Sequence, residues 1–351
     1  MNTKIFKITD VWDEESSVAL RECAEVIKRG GLVVFPTETV YGLGADGTNA
    51  DAAAKIYAAK GRPSDNPLII HIAHPAEAEK YVYVNDTYNL IAEAFMPGPI
   101  TVVLPAKESV PAQTRAGLST VAVRCPSHPI AKRLIQLSGV PIAAPSANLS
   151  GSPSPTRAEH VIDDMQGRVD VIIDGGEAEF GLESTIVKID NNGALTLLRP
   201  GKITVSDLEA VCGSVTVADA VTAPLGEGET VLSPGMKYRH YAPKSPLYLV
   251  DGDVDSFTAL IKERSKLCRV AVLCYASDKC RFEQNAPDAY TYTFGDKTDE
   301  ISQAHLLFDI LRDCDKKEFD EIYAPVPTKS GIGLALYNRM IRAAAYHIIK
   351  L

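Results

Sequence analysis

Short apolar runs of four or five residues recur along the first two hundred positions, and several follow one another without a helical pattern between them. Runs of this length are typical of buried β-strands, and stretches with helical spacing separate only some of them. Parallel neighbours need a long crossover, so strands joined without a helix indicate antiparallel pairs beside parallel ones. The pattern therefore predicts an α/β fold with a mixed sheet. We expect strands at 32–35, 68–72, 100–104, 121–124, 140–144, 169–173, 185–189 and 194–198, and helices at 18–27 (capped by Ser16 or Ser17), 51–60, 87–95, 129–137 and 158–165.

The amino-acid composition of the chain changes after residue 221. Residues 222–230 are rich in Gly, Pro and Glu, which is typical of a connector between domains. Beyond it, a second alternation of strands and helices has the length of a small domain. We therefore predict a larger domain at 1–206, a connector at 207–245 and a smaller α/β domain at 246–351. In the smaller domain we expect strands at 247–250, 269–275, 289–294 and 321–325, and helices at 255–266, 301–314 and 333–349.

Composition limits the classes of protein to which the chain can belong. Hydrophobic residues make up 46% and charged residues 23% of the 351 positions, a balance typical of a globular protein with a sizeable core. The net charge of −9 disfavours nucleic-acid binding over the surface as a whole. Seven cysteines without a C-x-x-C pair indicate reduced thiols, and neither a disulfide framework nor a zinc site. With no apolar signal core and no run long enough to cross a membrane, we expect a cytoplasmic protein without membrane partners.

Four polar stretches share one kind of chemistry although they lie far apart in the sequence. Each mixes Gly or Pro, which bend the backbone, with the hydroxyls, amides or cations that surround a phosphate-bearing ligand. An ordinary loop needs one or two such residues and not a run of them. Together they predict an enzyme that handles a nucleotide. The stretches are Pro-Thr-Glu-Thr-Val-Tyr-Gly-Leu-Gly at 36–44, Lys-Gly-Arg-Pro-Ser-Asp-Asn-Pro at 60–67, Pro-Ser-Ala-Asn at 145–148 and Ser-Pro-Gly-Met-Lys-Tyr-Arg-His-Tyr-Ala-Pro at 233–243.

Residues 42–47 read Gly-Leu-Gly-Ala-Asp-Gly, which matches the G-x-G-x-x-G fingerprint of dinucleotide-binding folds. The fingerprint needs its first glycine directly after a strand, whereas residues 36–41 intervene here. Asp65, at about the spacing of the acidic partner, lies in a Pro/Asn-rich loop and not at the end of a strand. We therefore favour a ligand-facing loop at 36–44, with glycines that merely let the chain turn as the alternative.

Cations and hydroxyls stand at the ends of several predicted elements. Lys60 and Arg62 close an Ala-rich helix, where they can serve the helix dipole alone, but the rigid loop that follows favours a clamp for phosphate oxygens. Arg124 ends one predicted strand and Ser146 follows another, the position at which open α/β sheets bind ligands. An exposed strand-end cation and a simple polar turn are the respective alternatives.

Ser184 and Arg199 take similar positions at strand edges. His71 and His74 are three residues apart, yet no Cys or carboxylate is grouped beside them, so we interpret His71 as a polar group in a cleft and not as a metal ligand. No G-x-S-x-G or G-x-x-x-x-G-K-[ST] motif occurs, which disfavours acyl-serine chemistry and P-loop hydrolysis.

The four stretches, in this order, resemble the threonylcarbamoyl-AMP synthase family in its two-domain form with a YrdC-like catalytic domain. The resemblance covers nearly the whole chain. The stretches at 36–44 and 233–243 are long and specific, whereas Lys-Gly-Arg at 60–62 and Ser-Ala-Asn at 146–148 carry weight only in this order. The resemblance implies an open, twisted, mixed sheet with helices, followed by a smaller Rossmann-like α/β domain.

The resemblance also implies a reaction in which L-threonine, bicarbonate and ATP, with Mg²⁺, give threonylcarbamoyl-adenylate and pyrophosphate. A downstream tRNA threonylcarbamoyl transferase complex would use that product to form N6-threonylcarbamoyladenosine beside the anticodon, and we expect no stable direct nucleic-acid binding and no protein metal site. The family pattern implies a catalytic role for Lys60 and Arg62, L-threonine binding by Thr39, His71, Arg124, Ala144 and Ser184, and ATP binding by Arg62, Asn66, Thr120, Ser146, Asn148, Ser154, Arg199 and Tyr241.

Residues 233–243 are the candidate lid over labile intermediates. Two other functions stay open as alternatives: an RNA-binding module, which the acidic composition disfavours, and an enzyme that adenylates carbamate from carbamoyl phosphate, which would need zinc-type cysteine pairs. Because Lys60 and Arg62 stand at the boundary of a helix and a loop, we expect both to be exposed. Replacing either with Ala should then abolish adenylate formation and leave the fold intact.

Overall fold

Two separate sheets organise the chain in its computed structural model, which describes residues 2–224 and 240–351. The described residues form two compact units. The first contains residues 2–150 and 154–224, and the second contains residues 151–153 and 240–351. Part of the predicted connector lies outside the described residues, so the predicted domain boundaries stay predictions.

The first unit is a sheet with helices packed against it. Several of its helices begin at polar caps, as where the Asn49 side chain accepts hydrogen bonds from the backbone of Asp51 and Ala52. The strands are β1 (Lys4–Lys7), β2 (Val33–Phe35), β3 (Gly42–Asp46), β4 (Ile69–His71), β5 (Ile100–Pro105), β6 (Thr120–Arg124), β7 (Ile142–Ala143), β8 (Val171–Asp174), β9 (Thr185–Ile189), β10 (Leu195–Arg199) and β11 (Val215–Val217). The helices are α1 (Glu14–Lys28), α2 (Ala50–Lys60), α3 (Asp86–Phe95), α4 (Pro129–Ser138), α5 (Ala158–Met165) and α6 (Val205–Cys212).

The strands of the first unit lie in the order β1-β8-β2-β3-β7-β4-β6-β5-β9-β10-β11. The sheet contains parallel pairs such as β4 with β6 and antiparallel pairs such as β5 with β6, which confirms the predicted mixed sheet. Helices α1 and α4 pack together, and their apolar side chains form one core with those of β2, β7 and β8. This core fixes the strands that carry the polar stretches.

The structure differs from the sequence-based expectations in several elements of this unit. Asp13, and not Ser16 or Ser17, caps α1, since its side chain accepts a hydrogen bond from the backbone N–H of Ser16. The acidic residues Glu14 and Glu15 then fill the first turn, where the helix dipole favours negative charge. Strands β1, β3 and β11 and helix α6 are additional to the predicted elements, because none of them shows a long apolar run.

The glycine fingerprint has a structural explanation. Gly42 and Gly44 lie inside β3, which pairs antiparallel with β2 and β7, so they do not form a phosphate-binding turn. A Cβ atom at Gly44 would lie 2.7 Å from both Ile142 Cγ2 and Phe35 Cε1. Close packing therefore requires glycine here. The structure agrees with the rejection of the dinucleotide fingerprint, whereas the expected loop is wrong for residues 42–44.

The second unit is a smaller α/β fold with a parallel sheet in the order β14-β13-β15-β12-β16. Strand and helix alternate along it, as parallel pairing requires, and this confirms the Rossmann-like expectation. The strands are β12 (Leu247–Asp251), β13 (Val270–Cys274), β14 (Tyr290–Thr293), β15 (Glu321–Pro325) and β16 (Ile348–Lys350), and the helices are α7 (Val254–Ser265), α8 (Lys279–Asn285), α9 (Glu300–Lys317) and α10 (Gly333–Ala343).

The predicted helix at 333–349 is too long. The chain leaves the helix after Ala343, and Ala345 and Tyr346 adopt positive φ values of 48° and 63° before the last strand begins. None of the described helices combines the length and the apolar composition that a bilayer crossing requires.

We predict that Gly44→Ala lowers the free energy of unfolding by about 1–3 kcal/mol, because the new methyl group has to displace the Phe35 ring and the Ile142 side chain. Urea denaturation of both proteins measures this difference. The exposed substitution Ala54→Ser is the control and should change stability by less than about 0.5 kcal/mol. Equal stability of Gly44→Ala and the wild type would contradict the packing explanation.

Candidate functional site

The loop between β2 and β3, residues 36–41, is buried and is held by its own hydroxyl groups. Thr37 Oγ1 donates to Val40 O at 2.6 Å and accepts from the backbone N–H groups of Thr39 and Val40 at 3.2 and 3.3 Å. The backbone oxygens of Glu38 and Thr39 also accept hydrogen bonds from the loop that follows β8. These bonds fix the positions from which the Glu38 and Thr39 side chains project.

Arg124, the last residue of β6, forms a buried ion pair with this loop. Its Nη2 atom donates to Glu38 Oε1 at 2.7 Å and to Thr39 Oγ1 at 2.9 Å. Only 5% of the Arg124 side chain and 7% of the Glu38 side chain are exposed. Because two charges lose hydration when they are buried, such a pair forms only where the backbone holds both partners in place. The structure thus brings the predicted residues Thr39 and Arg124 together.

The sheet register brings further predicted residues onto one face. Arg124 is paired with His71 of β4 on one side and with Thr101 of β5 on the other. Thr101 is paired with Ile186, and Ile186 with Arg199 of β10, where a bulge shifts the register. Residues directly paired across strands project to the same face. The paired residues His71, Arg124, Thr101, Ile186 and Arg199 thus form one row across the sheet. Since neighbouring strands lie about 4.8 Å apart, the backbones of Arg124 and Arg199 are about 14 Å apart along this row.

Ser184 connects Thr101 to Arg199. The two hydroxyl oxygens of Thr101 and Ser184 lie 2.8 Å apart. Arg199 donates from Nε to Ser184 O at 3.1 Å and from Nη2 to Ser184 Oγ at 3.3 Å. All three side chains are buried. Ser184, predicted to bind L-threonine, therefore lies beside Arg199, predicted to bind ATP.

His71 is a neutral polar group in this row. Burial disfavours the imidazolium form, and the charge of Arg124 adds to this effect, so the pKa of His71 falls to about 3. Its Nδ1 atom lies 3.2 Å from Ile142 O, which can only accept, so Nδ1 carries the proton. The other ring nitrogen is then a hydrogen-bond acceptor. This agrees with the interpretation of His71 as a single polar group.

Lys60 ties the end of α2 to the polar stretch at 145–148. Its Nζ atom donates to Ser146 O and to Asn148 O, each at 2.5 Å, and lies 3.4 Å from Asn148 Oδ1. Ser146 Oγ in turn donates to Asn148 Oδ1 at 2.6 Å. Three predicted residues are thus brought together. Lys60 is only 2% exposed, so the expectation of an exposed residue at this boundary is wrong.

The 145–148 stretch is also bonded to the first polar stretch. Leu43 N donates to Pro145 O at 2.9 Å, and Ala147 N donates to Tyr41 O at 2.8 Å. The first and third stretches and Lys60 therefore form one connected region of the first unit.

Arg62 forms hydrogen bonds within its own loop. Its Nη2 atom donates to Asn66 O and Pro67 O, each at 3.2 Å. Asn66 is 1% exposed, and within the described residues its side-chain Oδ1 has no hydrogen-bond partner. The loop starts at Gly61, which closes α2 in the left-handed conformation at φ 61°. The two prolines and these bonds define its path, while its role as a phosphate clamp stays a prediction.

The remaining predicted residues of the first unit have separate surroundings. Ala144 N donates to Ile69 O at 2.8 Å, so a ligand contact through this backbone has to use the carbonyl. Thr120 begins β6, four residues and about 13 Å from Arg124. Ser154 donates to the Glu183 carboxylate, and both side chains are buried.

Tyr241 belongs to the second unit, where its ring stacks on Phe308 with 5.5 Å between ring centroids. The Arg339 guanidinium lies 5.5 Å from the centre of the same ring. Residues 233–239 of the candidate lid lie outside the described residues, so the lid stays a prediction.

Sequence reasoning assigned no role to three polar residues of this region. Glu38 stands inside the first polar stretch, and an acid within a cation-rich set of motifs was an available signal. Glu183 precedes the predicted Ser184 and offered a similar signal. Thr101 lies in an apolar run, and only the strand register reveals its place beside Arg124.

A metal ion at this site would have to take most of its ligands from the substrate and from water. Within residues 2–224 and 240–351, no group of three or more His, Cys, Asp and Glu side chains is placed to hold a metal ion. Mg²⁺ commonly binds to one or two carboxylates together with substrate phosphates and water. Among the described residues, the buried carboxylates are Glu38 and Glu183, and they already bond Arg124 and Ser154.

The first unit is thus an α/β domain that gathers buried cations, hydroxyls and an ion pair at one face of a mixed sheet, a site suited to a small charged ligand. A family model described as "Telomere recombination" and named Sua5_yciO_yrdC matches residues 25–201, and one described as "Threonylcarbamoyl-AMP synthase, C-terminal domain" matches residues 203–345. The chain belongs to the threonylcarbamoyl-AMP synthase family of enzymes. The resemblance inferred from the four stretches is therefore confirmed.

Individual relatives agree over the full length of the chain. The threonylcarbamoyl-AMP synthase of Bacillus subtilis is 41% identical, with 100% of each chain covered. That of Pyrococcus abyssi is 42% identical, with 94% of this chain and 95% of the relative covered. A crystal structure of P. abyssi Sua5 complexed with L-threonine matches with a TM-score of 0.89 and 40% identity, covering 99% of this chain and 100% of the other.

We predict that Lys60→Ala lowers the free energy of unfolding by about 1–3 kcal/mol, because the Ser146 and Asn148 carbonyls lose their buried donor. Urea denaturation measures the change. Arg62→Ala is the matched control, since the Arg62 side chain is half-buried and its guanidinium donates to Asn66 O and Pro67 O, and it should cost less than about 1 kcal/mol. Unchanged stability of Lys60→Ala would show that its carbonyl contacts are not formed in solution.

The lowered pKa of His71 predicts a dependence of stability on pH. The unfolded chain binds a proton at this residue below about pH 6.5, whereas the folded chain does so only near pH 3. The free energy of unfolding should therefore fall as the pH decreases through this window, by up to about 1.4 kcal/mol per pH unit from this residue.

Urea denaturation of the wild type and His71→Asn between pH 4 and 7 tests this prediction. The amide of Asn keeps a donor for Ile142 O but does not titrate. The free energy of unfolding should therefore depend less steeply on pH in the variant, by an amount that corresponds to at most one bound proton. Equal slopes for the wild type and His71→Asn would show that His71 protonates normally in the folded protein.

Proposed function

We propose that the chain forms L-threonylcarbamoyladenylate and pyrophosphate from L-threonine, bicarbonate and ATP. The observation that carries this proposal is the row of His71, Arg124, Thr101 and Arg199 on one face of the sheet. It combines a buried cation for an amino-acid carboxylate with a second cation about three strands away. The L-threonine complex of P. abyssi Sua5, a relative at 40% identity, supports the amino-acid part.

The amino-acid end of the site consists of Thr39, His71 and Arg124. Charge-assisted hydrogen bonds from a guanidinium group to a carboxylate are strong, and this suits Arg124 to the α-carboxylate. The neutral His71 ring offers an acceptor to the threonine hydroxyl. Ser184 and the Ala144 carbonyl are further binding groups, as the family pattern implies.

The nucleotide end uses cations from other parts of the first unit. Arg199 lies beside Ser184, and Lys60 lies against the 146–148 loop with Ser146 and Asn148. Arg62 and Asn66 extend this end along the loop after α2. Cations placed where negative charge develops stabilise phosphoryl transfer without reorganisation at the moment of reaction.

The chemistry has two steps. The threonine amine and bicarbonate combine to a carbamate and water, and a carbamate oxygen then attacks the α-phosphorus of ATP. A new oxygen–phosphorus bond forms as the bond to the leaving pyrophosphate breaks. No protein nucleophile is needed, so the residues act by positioning and by charge stabilisation. Mg²⁺, bound mainly to the phosphates, would supply further positive charge at the leaving group.

We further propose that the product serves N6-threonylcarbamoyladenosine formation in tRNA. An acyl-adenylate is labile in water, which favours its transfer to a partner enzyme close to the site of synthesis. The class of partner is a tRNA threonylcarbamoyl transferase complex. This part of the proposal rests on the family to which the chain belongs.

We predict that pyrophosphate release requires all of L-threonine, bicarbonate, ATP and Mg²⁺. Omitting each in turn should reduce the rate to background, and mass spectrometry should detect threonylcarbamoyl-AMP only in the complete mixture. Release of pyrophosphate from ATP without threonine or bicarbonate would contradict the proposed reaction.

We predict that Arg124→Ala reduces kcat/KM for L-threonine by about 100-fold or more, since a charge-assisted contact is worth about 1.5–3 kcal/mol and the variant also leaves Glu38 buried without its partner. Steady-state pyrophosphate release with varied L-threonine measures this loss. Arg168→Ala removes an exposed arginine from the same unit and is the control. An Arg124→Ala enzyme with the kinetics of the wild type would exclude this cation from the threonine site.

A further inference from the structure

The Arg124–Glu38 ion pair is incomplete on both sides. One oxygen of Glu38 and one nitrogen of Arg124 bond each other, but Glu38 Oε2 and Arg124 Nε have no hydrogen-bond partner within the part of the chain that the structure describes. Both atoms are buried. Buried charged atoms without partners are costly, and in natural proteins they commonly indicate a ligand or water.

The two unpartnered atoms have complementary chemistry. Arg124 Nε is a charged donor, and it suits a carboxylate. Glu38 Oε2 is a charged acceptor, and it suits an ammonium group. An α-amino acid carries both groups on one carbon atom, so a single small molecule can satisfy both atoms at once.

We propose that Glu38 binds the α-ammonium group of the amino-acid substrate while Arg124 binds its α-carboxylate. This inference rests on the proposed function of the same site and assigns a role to a residue that the family pattern did not include. The site would then select zwitterionic amino acids, with Thr39 held beside Arg124 by a hydrogen bond from the guanidinium nitrogen that also bonds Glu38.

Charge balance supports this role for Glu38. His71 is neutral, so without Glu38 the buried end of the row would carry the uncompensated charge of Arg124 and repel an ammonium group. With Glu38 the pair is neutral, and a zwitterion adds no net charge to the interior. After carboxylation the carbamate nitrogen keeps one N–H group, which can still donate to the same oxygen.

A different role for Glu38 gives a different result. If Glu38 only holds Arg124 in place, its replacement should change the affinity for every carboxylate ligand by the same factor. If it binds the ammonium group, its replacement should weaken only ligands that carry one. A ligand without the ammonium group therefore separates the two roles.

Isothermal titration of the full chain with L-threonine and with (2S,3R)-2,3-dihydroxybutanoate, in which a hydroxyl replaces the ammonium group, tests the proposal. Glu38→Gln should bind L-threonine about 10- to 100-fold more weakly than the wild type and bind the hydroxy acid within about threefold of it. Glu38→Asp keeps the charge and should retain part of the preference for L-threonine. Glu179→Gln, which removes an acid that is mostly exposed, is the control and should bind both ligands as the wild type does.

An equal change in affinity for both ligands, or no change for either, would overturn the role of Glu38. Urea denaturation of Glu38→Gln checks that the variant is folded, and Glu38→Asp provides the test if it is not. If the wild type binds L-threonine and releases pyrophosphate, but Glu38→Gln keeps the same preference for L-threonine over the hydroxy acid, this inference alone is refuted. A wild type that binds no α-amino acid would refute the proposed function as well.

Discussion

The ion pair between Arg124 and Glu38 is the interaction on which the site depends. Burying two charges costs hydration, and their attraction offsets that cost only if both side chains are held in position. The strand register of β6 fixes Arg124, and the hydroxyl of Thr37 fixes the loop that carries Glu38. Sheet packing and loop hydrogen bonds therefore offset the cost of burying polar atoms that would be more stable in water. Such an arrangement is typical of a binding site.

Lys60 has a structural as well as a proposed chemical role. It holds the carbonyls of the 146–148 loop, and that loop is bonded through Ala147 to the stretch that carries Glu38. The same cation is proposed to lie beside the triphosphate. A substitution of Lys60 is therefore expected to lower both stability and catalytic activity. Activity measurements on Lys60→Ala alone do not separate these two effects.

The sequence predicted the elements that show a clear apolar or helical pattern. The strand at 185–189, the helix at 158–165 and the strand at 321–325 have the predicted bounds. The two strands are short runs of mostly buried residues, and the helix buries Ala158, Val161 and Met165 at helical spacing. Strand β3 was missed, since its glycines are selected by close packing against Phe35 and not by strand propensity. The helix predicted to continue to residue 349 ends at Ala343, because two residues adopt positive φ values. The motifs predicted which residues are polar, but the pairing of Glu38 with Arg124, 86 residues away, is set by tertiary structure alone.

The most direct test of the account is a crystal structure of the chain with L-threonine and a non-hydrolysable ATP analogue. We expect the threonine carboxylate within hydrogen-bond distance of Arg124, its ammonium group within hydrogen-bond distance of Glu38, and the triphosphate between Lys60 and Arg199. Threonine bound elsewhere, with the Arg124–Glu38 pair unchanged and out of contact with any ligand, would contradict the central claim.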